Sequence, residues 1–443
     1  MLPYTYGRIL LVALPMMLSG FIQSIISITD AAFLGHYDKL AFDAAGSAGL
    51  WYITLHMVFI GLSDGAQIRM ANHIGDNDNR GFTAVFHTNF LLLIIAATFL
   101  TVFIYVGMPQ IMRALVNDEQ LAAAEQSFLE IRSLAFWGTT IGLTVQAAYL
   151  AMGKTKIVLF ANIAVALINV LLAYPMIYGK FGFQENGLEG AAWANTIAEL
   201  SGVCFLLLSL LFGKFMRVFD IWKQLQISWF QIRDNLKVGL PLLFQGLVAL
   251  SIWTIFFIWI EQMGNDDLTV SLNIRHIYFL AFVPIWGFAA TTKTYIAQYV
   301  GANQFEAIPT IKRRIQILTI SFLVLTFHGS VLYPEQLISL VSENQSHITE
   351  SARILRIVSG SILIYGAVMV YFQAISGLGK TTATFMVECI ATSLYLLAAY
   401  LLIKQWKAPI HLVWLVEYVY FIAMGGFSLL YLWYYKKKNH VKI

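Results

Sequence analysis

Charged residues are scarce in this sequence. Only 12% of its 443 residues are Asp, Glu, Lys or Arg, about half of the roughly 25% found in ordinary globular chains. A water-soluble fold of this length needs more charge to cover its surface, so a cytosolic enzyme, a nucleic-acid binder and a disordered scaffold are excluded. The net charge of +4 therefore needs an explanation other than an acidic partner.

Cysteine is almost absent as well. Cys204 and Cys389 are the only two, both lie within apolar stretches, and neither belongs to a Cys-x-x-Cys or Cys/His spacing. A disulfide framework and a cysteine-based metal centre are therefore not expected. Two Gly-Lys-Thr triplets, at 153–155 and 379–381, have Ala where a phosphate-binding loop needs its upstream Gly. ATP is not implied, and no cofactor is predicted.

Apolar residues are correspondingly abundant, at 59% of the chain. A helix needs around 20 of them to cross the roughly 30 Å hydrocarbon core of a bilayer, and twelve runs meet this requirement. Their predicted bounds are 8–33, 45–71, 84–110, 126–150, 156–179, 189–213, 236–261, 268–297, 313–333, 352–376, 382–403 and 411–435. Short turn-forming stretches separate most of them. The sequence therefore predicts an all-α integral membrane protein with twelve transmembrane helices.

Lysine and arginine are distributed unevenly among the predicted loops. Cytoplasmic loops collect these residues, so the distribution indicates orientation. With the N-terminus inside, seventeen basic residues fall in cytoplasmic loops and five in outer loops. The five are Lys39, Arg113, Lys180, Lys404 and Lys407. Both termini are therefore predicted to be cytoplasmic, and the positive net charge follows from the topology.

The second half of the chain repeats the first. Val12-Ala13-Leu14-Pro15 recurs as Val238-Gly239-Leu240-Pro241. The offset that carries Pro15 to Pro241, called the repeat offset below, also pairs the two Gly-Lys-Thr triplets without a gap. Each repeat holds six predicted spans. Repeated six-helix halves are typical of transporters whose substrate site lies between the halves.

The repeat predicts two six-helix lobes, 1–213 and 236–443. An even number of spans gives both lobes the same orientation, so a pseudo-two-fold axis along the membrane normal should relate them. Between them, 214–235 mixes apolar and basic residues and is predicted to be an amphipathic helix on the cytoplasmic face. An irregular basic loop is the alternative.

Several motifs resemble those of the multidrug and toxic compound extrusion (MATE) family, and the resemblance covers essentially the whole chain. They are Ala13-Leu14-Pro15, Thr29-Asp30-Ala31-Ala32-Phe33-Leu34-Gly35-His36, Gly61-Leu62-Ser63-Asp64-Gly65-Ala66-Gln67, Asn169-Val170-Leu171-Leu172 and Ser376-Gly377-Leu378-Gly379-Lys380-Thr381. The Asp-x-x-x-x-Gly-His end of the first span is similar to that of the branch that includes the DNA-damage-inducible transporters.

This resemblance implies a secondary active multidrug exporter. Such a protein exchanges organic cations for H⁺ or Na⁺ by alternating access through a central cavity, as a multi-pass protein of the bacterial inner membrane. The expected partners are small organic cations, the coupling ion and membrane lipids, with no nucleic acid. A monomer is expected.

A carboxylate inside a bilayer is costly and usually functional, and Asp30 is the clearest case here. Ser19, Gln23, Ser27 and Asp30 are spaced 4, 4 and 3 residues apart, so the first span presents one polar face. The repeat-related residue of Asp30 is Phe256, so only the first repeat carries this face. Asp30 is predicted to couple transport to a cation, with capping of the helix end as the structural alternative.

Asn169, Asn195 and Glu199 are predicted to form a cation-coupling group with Asp30. The resemblance places Asn169 in the polar cluster of the N-terminal lobe, but Ala173 stands where many members have an acid, and Glu199 can supply that carboxylate. Two carboxylates in an apolar pocket repel when both are ionised, which favours binding of a proton. The alternatives are that Glu199 pairs with Lys or Arg or lies near the lipid interface, and that the ion at Asp30 is Na⁺.

Polar residues on the same predicted faces are candidates for lining the substrate cavity. They are Gln23, Ser27, His56, Gln67 and Asn162. Aromatic residues make up 14% of the chain, and it has 14 Met besides. A subset of these side chains that faces the cavity can hold flat cations of many shapes.

A Na⁺ site that the family carries in its C-terminal lobe is not expected. Its two carboxylate positions fall on Ala249 and near Tyr365, neither of which carries charge. The ionisable residues that remain in the spans of this lobe are predicted to form ion pairs with one another, with extension of Lys293 to the cytoplasmic interface as the alternative for that residue. They are Arg275, His276, Lys293, Glu388 and Glu417.

Two other functions fit the sequence less well. A lipid or lipid-linked oligosaccharide flippase of the same superfamily needs basic residues that face the cavity and hold phosphate, whereas the charge in these spans is mixed. A membrane enzyme needs paired His/Asp motifs or a metal site at the interface, and Asp76-Asn77-Asp78 is ordinary turn composition. The chain is therefore not predicted to be an enzyme.

Overall fold

The computed structural model describes residues 1–116, 118–213, 219, 221, 225–342 and 344–441, and within these ranges the chain is helical with no strand. The helices are α1 Tyr6–Tyr37, α2 Lys39–Gly75, α3 Asn79–Val106, α4 Met108–Leu115, α5 Glu119–Ser133, α6 Ala135–Ala151, α7 Thr155–Tyr178, α8 Gly187–Phe212, α9 Trp229–Glu261, α10 Asn265–Gly301, α11 Ile308–Phe327, α12 Gly329–Leu332, α13 Pro334–Ile338, α14 Gln345–Gly377, α15 Thr381–Tyr400, α16 Ile410–Val413 and α17 Val416–Asn439. A π-helical turn, Leu401–Gln405, continues α15.

Ten helical segments in the described part of the chain are long and apolar enough to cross a membrane, and they account for ten of the twelve predicted spans. The other two differ for physical reasons. The span predicted at 126–150 is divided between α5 and α6 at Leu134, so neither piece reaches across alone. The span predicted at 313–333 lies largely in α11, whose first turns carry three basic residues. The predicted all-α membrane fold is confirmed.

The internal repeat is visible in the helix bounds. The repeat offset carries both the first and the last residue of α2 onto those of α10. The stretch from Glu119, where α5 begins, to Ala151, where α6 ends, corresponds in the same way to α14. The second repeat therefore has one continuous helix where the first is interrupted at Leu134.

The turns between the helices repeat as well. Asn77 and Asn303, each just after the second helix of its repeat, have φ of 57° and 55°. Gly153 and Gly379, the first residues of the two Gly-Lys-Thr triplets, have φ of 66° and 73°. Glycine adopts this left-handed conformation freely and asparagine tolerates it. The triplets are therefore turns that join two helices.

Contacts divide the chain into two compact units. The N-terminal unit is Leu18–Leu243, and the C-terminal unit is Met1–Met17 together with Phe244–Ile443. Each division falls two residues after a proline, Pro15 in α1 and Pro241 in α9, and proline removes a backbone hydrogen bond from a helix interior. Compared with the predicted lobes, the units exchange the first segments of α1 and α9.

Nine of the 22 residues of the linker helix predicted at 214–235 lie outside the described residues: 214–218, 220 and 222–224. In the part that is described, Phe219 stacks on Phe82 of α3 with ring centroids 3.8 Å apart. Residues 225–228 have no regular structure, and Trp229 begins α9. The C-terminal end of the predicted linker therefore belongs to a membrane-spanning helix.

Candidate functional site

Small residues bring α8 against α7 and so decide which side of α8 faces the cavity described below. They recur every four residues and are all buried: Gly190, Ala194, Ala198 and Gly202. A side chain at Gly190 would collide with the backbone carbonyl of Met176, and close backbone approach of this kind is how membrane helices pack through small residues. Asn195 and Glu199 lie one position further around α8.

Two tyrosine hydroxyls hold the last turns of α1, which carry Asp30. The hydroxyl of Tyr178, at the end of α7, donates to the backbone carbonyl of Phe33 at 2.7 Å. The hydroxyl of Tyr37 donates to Oε1 of Glu185, between α7 and α8, at 3.0 Å. These two hydrogen bonds tie the end of α1 to the end of α7 and to the loop that leads into α8. They therefore hold the Asp30 carboxylate against α8.

Helices α1, α2, α5 and α8 border a cavity of about 630 Å³ in the N-terminal unit. Six predicted site residues line it: Gln23, Ser27, Asp30, His56, Asn195 and Glu199. An adjoining cavity of about 400 Å³ shares Gln23, His56, Asn195 and Glu199, and adds Gln67 and Asn162. Asn169 lines neither cavity and is completely buried. Eight of the nine predicted residues therefore line one or both of these two cavities.

Only one side of the Asp30 carboxylate has a hydrogen-bond donor. Asn195 Nδ2 donates to Oδ2 of Asp30 at 2.7 Å and to the backbone carbonyl of Ala191 at 3.1 Å. The other oxygen, Oδ1, is buried without a hydrogen-bond partner in the described structure. The Asn169 side chain lies beside this carboxylate, close enough to interact with it, but its amide makes no hydrogen bond of normal geometry with the described residues. An ionised carboxylate oxygen with no donor is open to a proton or a cation.

Glu199 forms an ion pair with Arg132 of α5. Arg132 Nη2 lies 2.5 Å from Oε1 of Glu199, and the hydroxyl of Tyr52 donates to Oε2 at 2.9 Å. The guanidinium also lies over the Tyr52 ring, 4.0 Å from its centroid. Both oxygens of Glu199 therefore have partners other than Asp30. Of the alternatives that the sequence left open, pairing with a basic residue is the one that the structure shows.

Arg132 is the site residue that the sequence analysis missed. Its side chain is only 7% exposed, and it lies inside the span predicted at 126–150, two residues before the interruption at Leu134. A basic residue within a membrane span is costly and usually functional, and that signal was present in the sequence. The identity of its partner was not, because Glu199 is 67 residues away in the chain.

An aromatic wall supports the ion pair. Tyr52, His56 and Phe59 lie at i, i+4 and i+7 on α2, and Tyr52 and Phe59 both contact the ring of Phe136, with centroids 5.3 Å and 5.0 Å apart. The His56 ring stacks on Tyr52 at 5.7 Å. This packing restricts the rotamers of Tyr52 and His56, so the wall presents fixed ring faces rather than mobile side chains.

The lining of the larger cavity carries an excess of negative charge. Asp30 and Glu199 contribute two carboxylates, whereas Arg132 contributes one guanidinium. Charges interact more strongly in a membrane protein interior than in water because the effective dielectric is lower. The cavity therefore favours a cation while Asp30 is ionised, and it loses that preference when Asp30 takes up a proton.

The ion pairs predicted in the C-terminal lobe are wrong for both glutamates. The hydroxyl of Tyr420 donates to Oε1 of Glu388 at 2.6 Å, and the hydroxyls of Tyr278 and Tyr395 donate to Glu417 at 2.7 Å and 3.2 Å. These three tyrosines lie in the interior of the unit, where a phenol provides a hydrogen bond without a charge.

A family model and the internal repeat coincide. The MatE family model matches the chain twice, at 15–175 and at 241–401. The repeat offset carries the first match onto the second at both ends, as it does for the motifs in the sequence and for the helix bounds. The unit described by the family model is therefore the repeat itself.

Relatives are similar over most of the chain. The probable multidrug resistance protein NorM of Thermotoga maritima is 23% identical over 421 residues, which cover 93% of this chain and 89% of the relative. The probable multidrug resistance protein NorM of Synechocystis is 20% identical and covers 96% of this chain and 93% of the relative.

Solved structures share the fold. A multidrug resistance MATE family transporter of the MOP superfamily, in an outward-facing conformation, has a TM-score of 0.87 and 18% identity, covering 98% of this chain and 96% of the other. A MOP superfamily transporter from Pyrococcus furiosus, described as having a binding pocket of reverse polarity, has a TM-score of 0.83 and 18% identity, covering 96% and 94%. Because the family model matches both repeats, this multi-pass membrane protein belongs to the MatE family, the multidrug and toxic compound extrusion (MATE) transporters.

Proposed function

We propose that this protein is a secondary active multidrug exporter that exchanges organic cations for H⁺ or Na⁺ by alternating access. Membership of the MatE family and the relatives named as multidrug resistance proteins support this proposal. One structural observation supports this function for this chain in particular. The Asp30 carboxylate lines a cavity in the N-terminal unit with one oxygen bound by Asn195 and the other buried without a partner in the described structure.

The coupling follows from competition at Asp30. An organic cation in the cavity is stabilised by the excess negative charge, and a proton or Na⁺ bound at Asp30 removes that excess. Two ligands that favour different charge states of one site weaken each other's binding by the same factor. Entry of the coupling ion from outside therefore promotes release of the substrate.

Roles follow for the other predicted residues. Asn195 holds the Asp30 carboxylate through a charge-assisted hydrogen bond, and the neighbouring Asn169 amide supplies a second dipole beside it. Glu199 is fixed by Arg132, so it contributes constant negative charge and leaves Asp30 as the group that changes state. Gln23, Ser27, His56, Gln67 and Asn162 supply polar contacts to the substrate.

Aromatic side chains in the same cavity suit a flat organic cation. Phe42, Tyr52 and Phe128 line it together with aliphatic residues of α1 and α2. Cations are attracted to aromatic ring faces over short distances. The proposed substrates are therefore cations with extended apolar surface, rather than small hydrophilic ones.

The excess of basic residues in one set of loops supports an orientation with both termini in the cytoplasm, and the bacterial relatives support a location in the bacterial inner membrane. In this orientation α1 runs outward and Asp30 lies in its outer half. A proton or Na⁺ from outside then reaches Asp30 after crossing only the outer part of the N-terminal unit.

Reconstituted transport tests the proposal. The purified protein is placed in liposomes, and movement of a fluorescent organic cation is measured under a pH gradient alone and under a Na⁺ gradient alone. Asp30→Asn should abolish transport under both gradients. Asp43→Asn is the matched control, because Asp43 is an exposed carboxylate in the same unit and its loss should leave transport unchanged. Export by Asp30→Asn at the wild-type rate would refute the role of Asp30.

The flippase alternative is tested in the same liposomes. Its substrates carry phosphate, and the guanidinium of Arg132, which lines the larger cavity, is already paired with Glu199. A wild-type protein that moves labelled lipid between leaflets, and moves no organic cation under either gradient, would replace the exporter with a flippase.

A further inference from the structure

Two carboxylates of the C-terminal unit take no part in the site described above. Glu388 of α15 and Glu417 of α17 are each only 2% exposed. Glu388 accepts one hydrogen bond, from Tyr420. Glu417 accepts two, one on each oxygen, from Tyr278 and Tyr395. Both acids therefore lie in the interior of a membrane protein with phenol hydroxyls as their hydrogen-bond partners.

Neither acid has a basic side chain within ion-pair distance in the described part of the chain. A buried carboxylate without a compensating cation is strongly disfavoured as an anion, and the membrane interior increases this cost. Uptake of a proton removes the cost. Burial without a basic partner therefore favours the protonated, neutral form of both acids. Each becomes an anion only when a change in its surroundings stabilises the charge.

The tyrosine hydroxyls can hydrogen-bond to both the ionised and the protonated form of a carboxyl group. A tyrosine hydroxyl donates one hydrogen bond and also accepts one, whereas a guanidinium only donates. When a carboxyl gains a proton, a phenol beside it can turn from donor to acceptor without leaving its place. An arginine in the same position would favour the ionised form of the acid, because an opposite charge nearby stabilises the carboxylate.

The internal repeat supplies an independent comparison. Tyr52 and Tyr278 are related by the repeat offset, and each donates to a glutamate on the last helix of its repeat, Glu199 or Glu417. The repeat-related residue of Arg132 is Val358. The C-terminal repeat therefore keeps the tyrosine and lacks the arginine. Its glutamate stands at a new position, because the repeat-related residue of Glu199 is Gly425.

The two acids belong to one network. The rings of Tyr395 and Tyr420 lie 5.9 Å apart, and Tyr420 lies near both carboxyl groups. The titratable groups that face the pair are all uncharged: Tyr278 from α10, Tyr365 from α14, Cys389 and Tyr395 from α15, and Tyr420 from α17. Phe256 and Trp414 close the site with rings 5.4 Å and 6.0 Å from Tyr395 and Tyr278.

We propose that Glu388 and Glu417 form a proton-binding site of the C-terminal unit, separate from Asp30. Each carboxyl takes up a proton from water and releases it again, and the surrounding tyrosine hydroxyls exchange donor and acceptor roles as it does so. The ligand is H⁺ and no further group is required. The site exists whether or not Asp30 couples transport.

Infrared spectroscopy of the complete protein in lipid tests this directly and needs no transport. The pH-induced difference spectrum is recorded in the carbonyl stretching region of protonated carboxylic acids, above the pH range in which exposed carboxyls titrate. Glu388→Gln and Glu417→Gln should each remove part of the band, and the double variant should remove both parts. Glu335→Gln, which changes an exposed carboxylate of the same unit, should leave the band unchanged.

A positioning variant keeps the test decisive if a glutamine variant fails to fold. Tyr395→Phe retains both acids and removes one hydroxyl from Glu417, so the pH midpoint of the band should move while its amplitude stays. A band that persists in full in the double variant would overturn the proposal. So would a band that responds to Na⁺ at constant pH and not to pH itself, because the ligand would then be a metal ion.

Discussion

Tyr52 and Tyr278 stand at the same position of the two repeats, and each donates its hydroxyl proton to a glutamate on the last helix of its own repeat, at 2.9 Å and 2.7 Å. In the N-terminal unit the second partner of the glutamate is Arg132. In the C-terminal unit it is the hydroxyl of Tyr395. The same repeat-related tyrosine therefore supports an ion-paired glutamate in one repeat and, at a different position of the last helix, a glutamate without a basic partner in the other.

The ion pair between Glu199 and Arg132 predicts a specific pattern of stability. Glu199→Gln should destabilise the protein, because it leaves the arginine buried without its carboxylate. Removing one partner of a buried pair costs about 3–5 kcal/mol. Because the Glu199 side chain is 31% exposed, we expect a smaller loss, of about 2 kcal/mol.

The double variant Glu199→Gln with Arg132→Met should recover most of that loss, because an apolar side chain then replaces the unpaired charge. Thermal unfolding of the wild type, both single variants and the double variant in one detergent measures the coupling. Additive losses in the double variant would show that the two residues do not stabilise each other.

The ring and the hydroxyl of Tyr52 make separable contributions. Tyr52→Phe removes the hydrogen bond to Glu199 and should cost about 1 kcal/mol, while the ring keeps its contacts with Arg132 and Phe136. Tyr52→Ala removes the ring as well and should cost about 3 kcal/mol or more. Transport of a flat cation should follow the same order, since the ring is the proposed contact. Equal losses in the two variants would assign the whole effect to the hydroxyl.

Asn169 is predicted to lower the stability of the folded protein while supporting export. Its amide is completely buried and makes no hydrogen bond of normal geometry with the described residues, and such a group costs about 1–3 kcal/mol. Asn169→Leu, of similar volume, should therefore leave the unfolding temperature unchanged or raise it, while lowering export because the dipole beside Asp30 is lost. A clear fall in unfolding temperature would contradict this and indicate a hydrogen bond that the amide makes in the membrane.

The sequence predicted the parts of this protein that local patterns determine. Apolar run length located the spans, the repeat offset related the halves, and the spacing of Gln23, Ser27 and Asp30 placed them on the face that lines the cavity. Asn195 follows the same reasoning, because it is one residue beyond a stripe of small residues on α8.

Pairings between distant helices were not predicted. Nothing local to Arg132 identifies Glu199 as its partner. The tyrosines around Glu388 and Glu417 have the composition of an interfacial belt, and only their position in the folded unit distinguishes them. The interruption of the helix at Leu134 was not predicted either. The repeat gives no sign of it, because Gly360, the repeat-related residue of Leu134, lies within the continuous helix α14.

The close approach of α7 and α8 gives the last prediction. A Cβ added to Gly190 would meet the carbonyl of Met176, and a backbone atom cannot turn aside as a flexible side chain can. Gly190→Ala should therefore separate the two helices and destabilise the protein by about 1–3 kcal/mol, the usual cost of overpacking. Because Asn195 lies five residues further along α8, export should fall with stability.

The matched control is Gly426→Ala on α17, where a Cβ meets open space and should add up to about 1 kcal/mol of helix stability. Thermal unfolding and liposome transport of the two variants separate these effects: if Gly190→Ala unfolds at the wild-type temperature, the contact between α7 and α8 is not what positions Asn195.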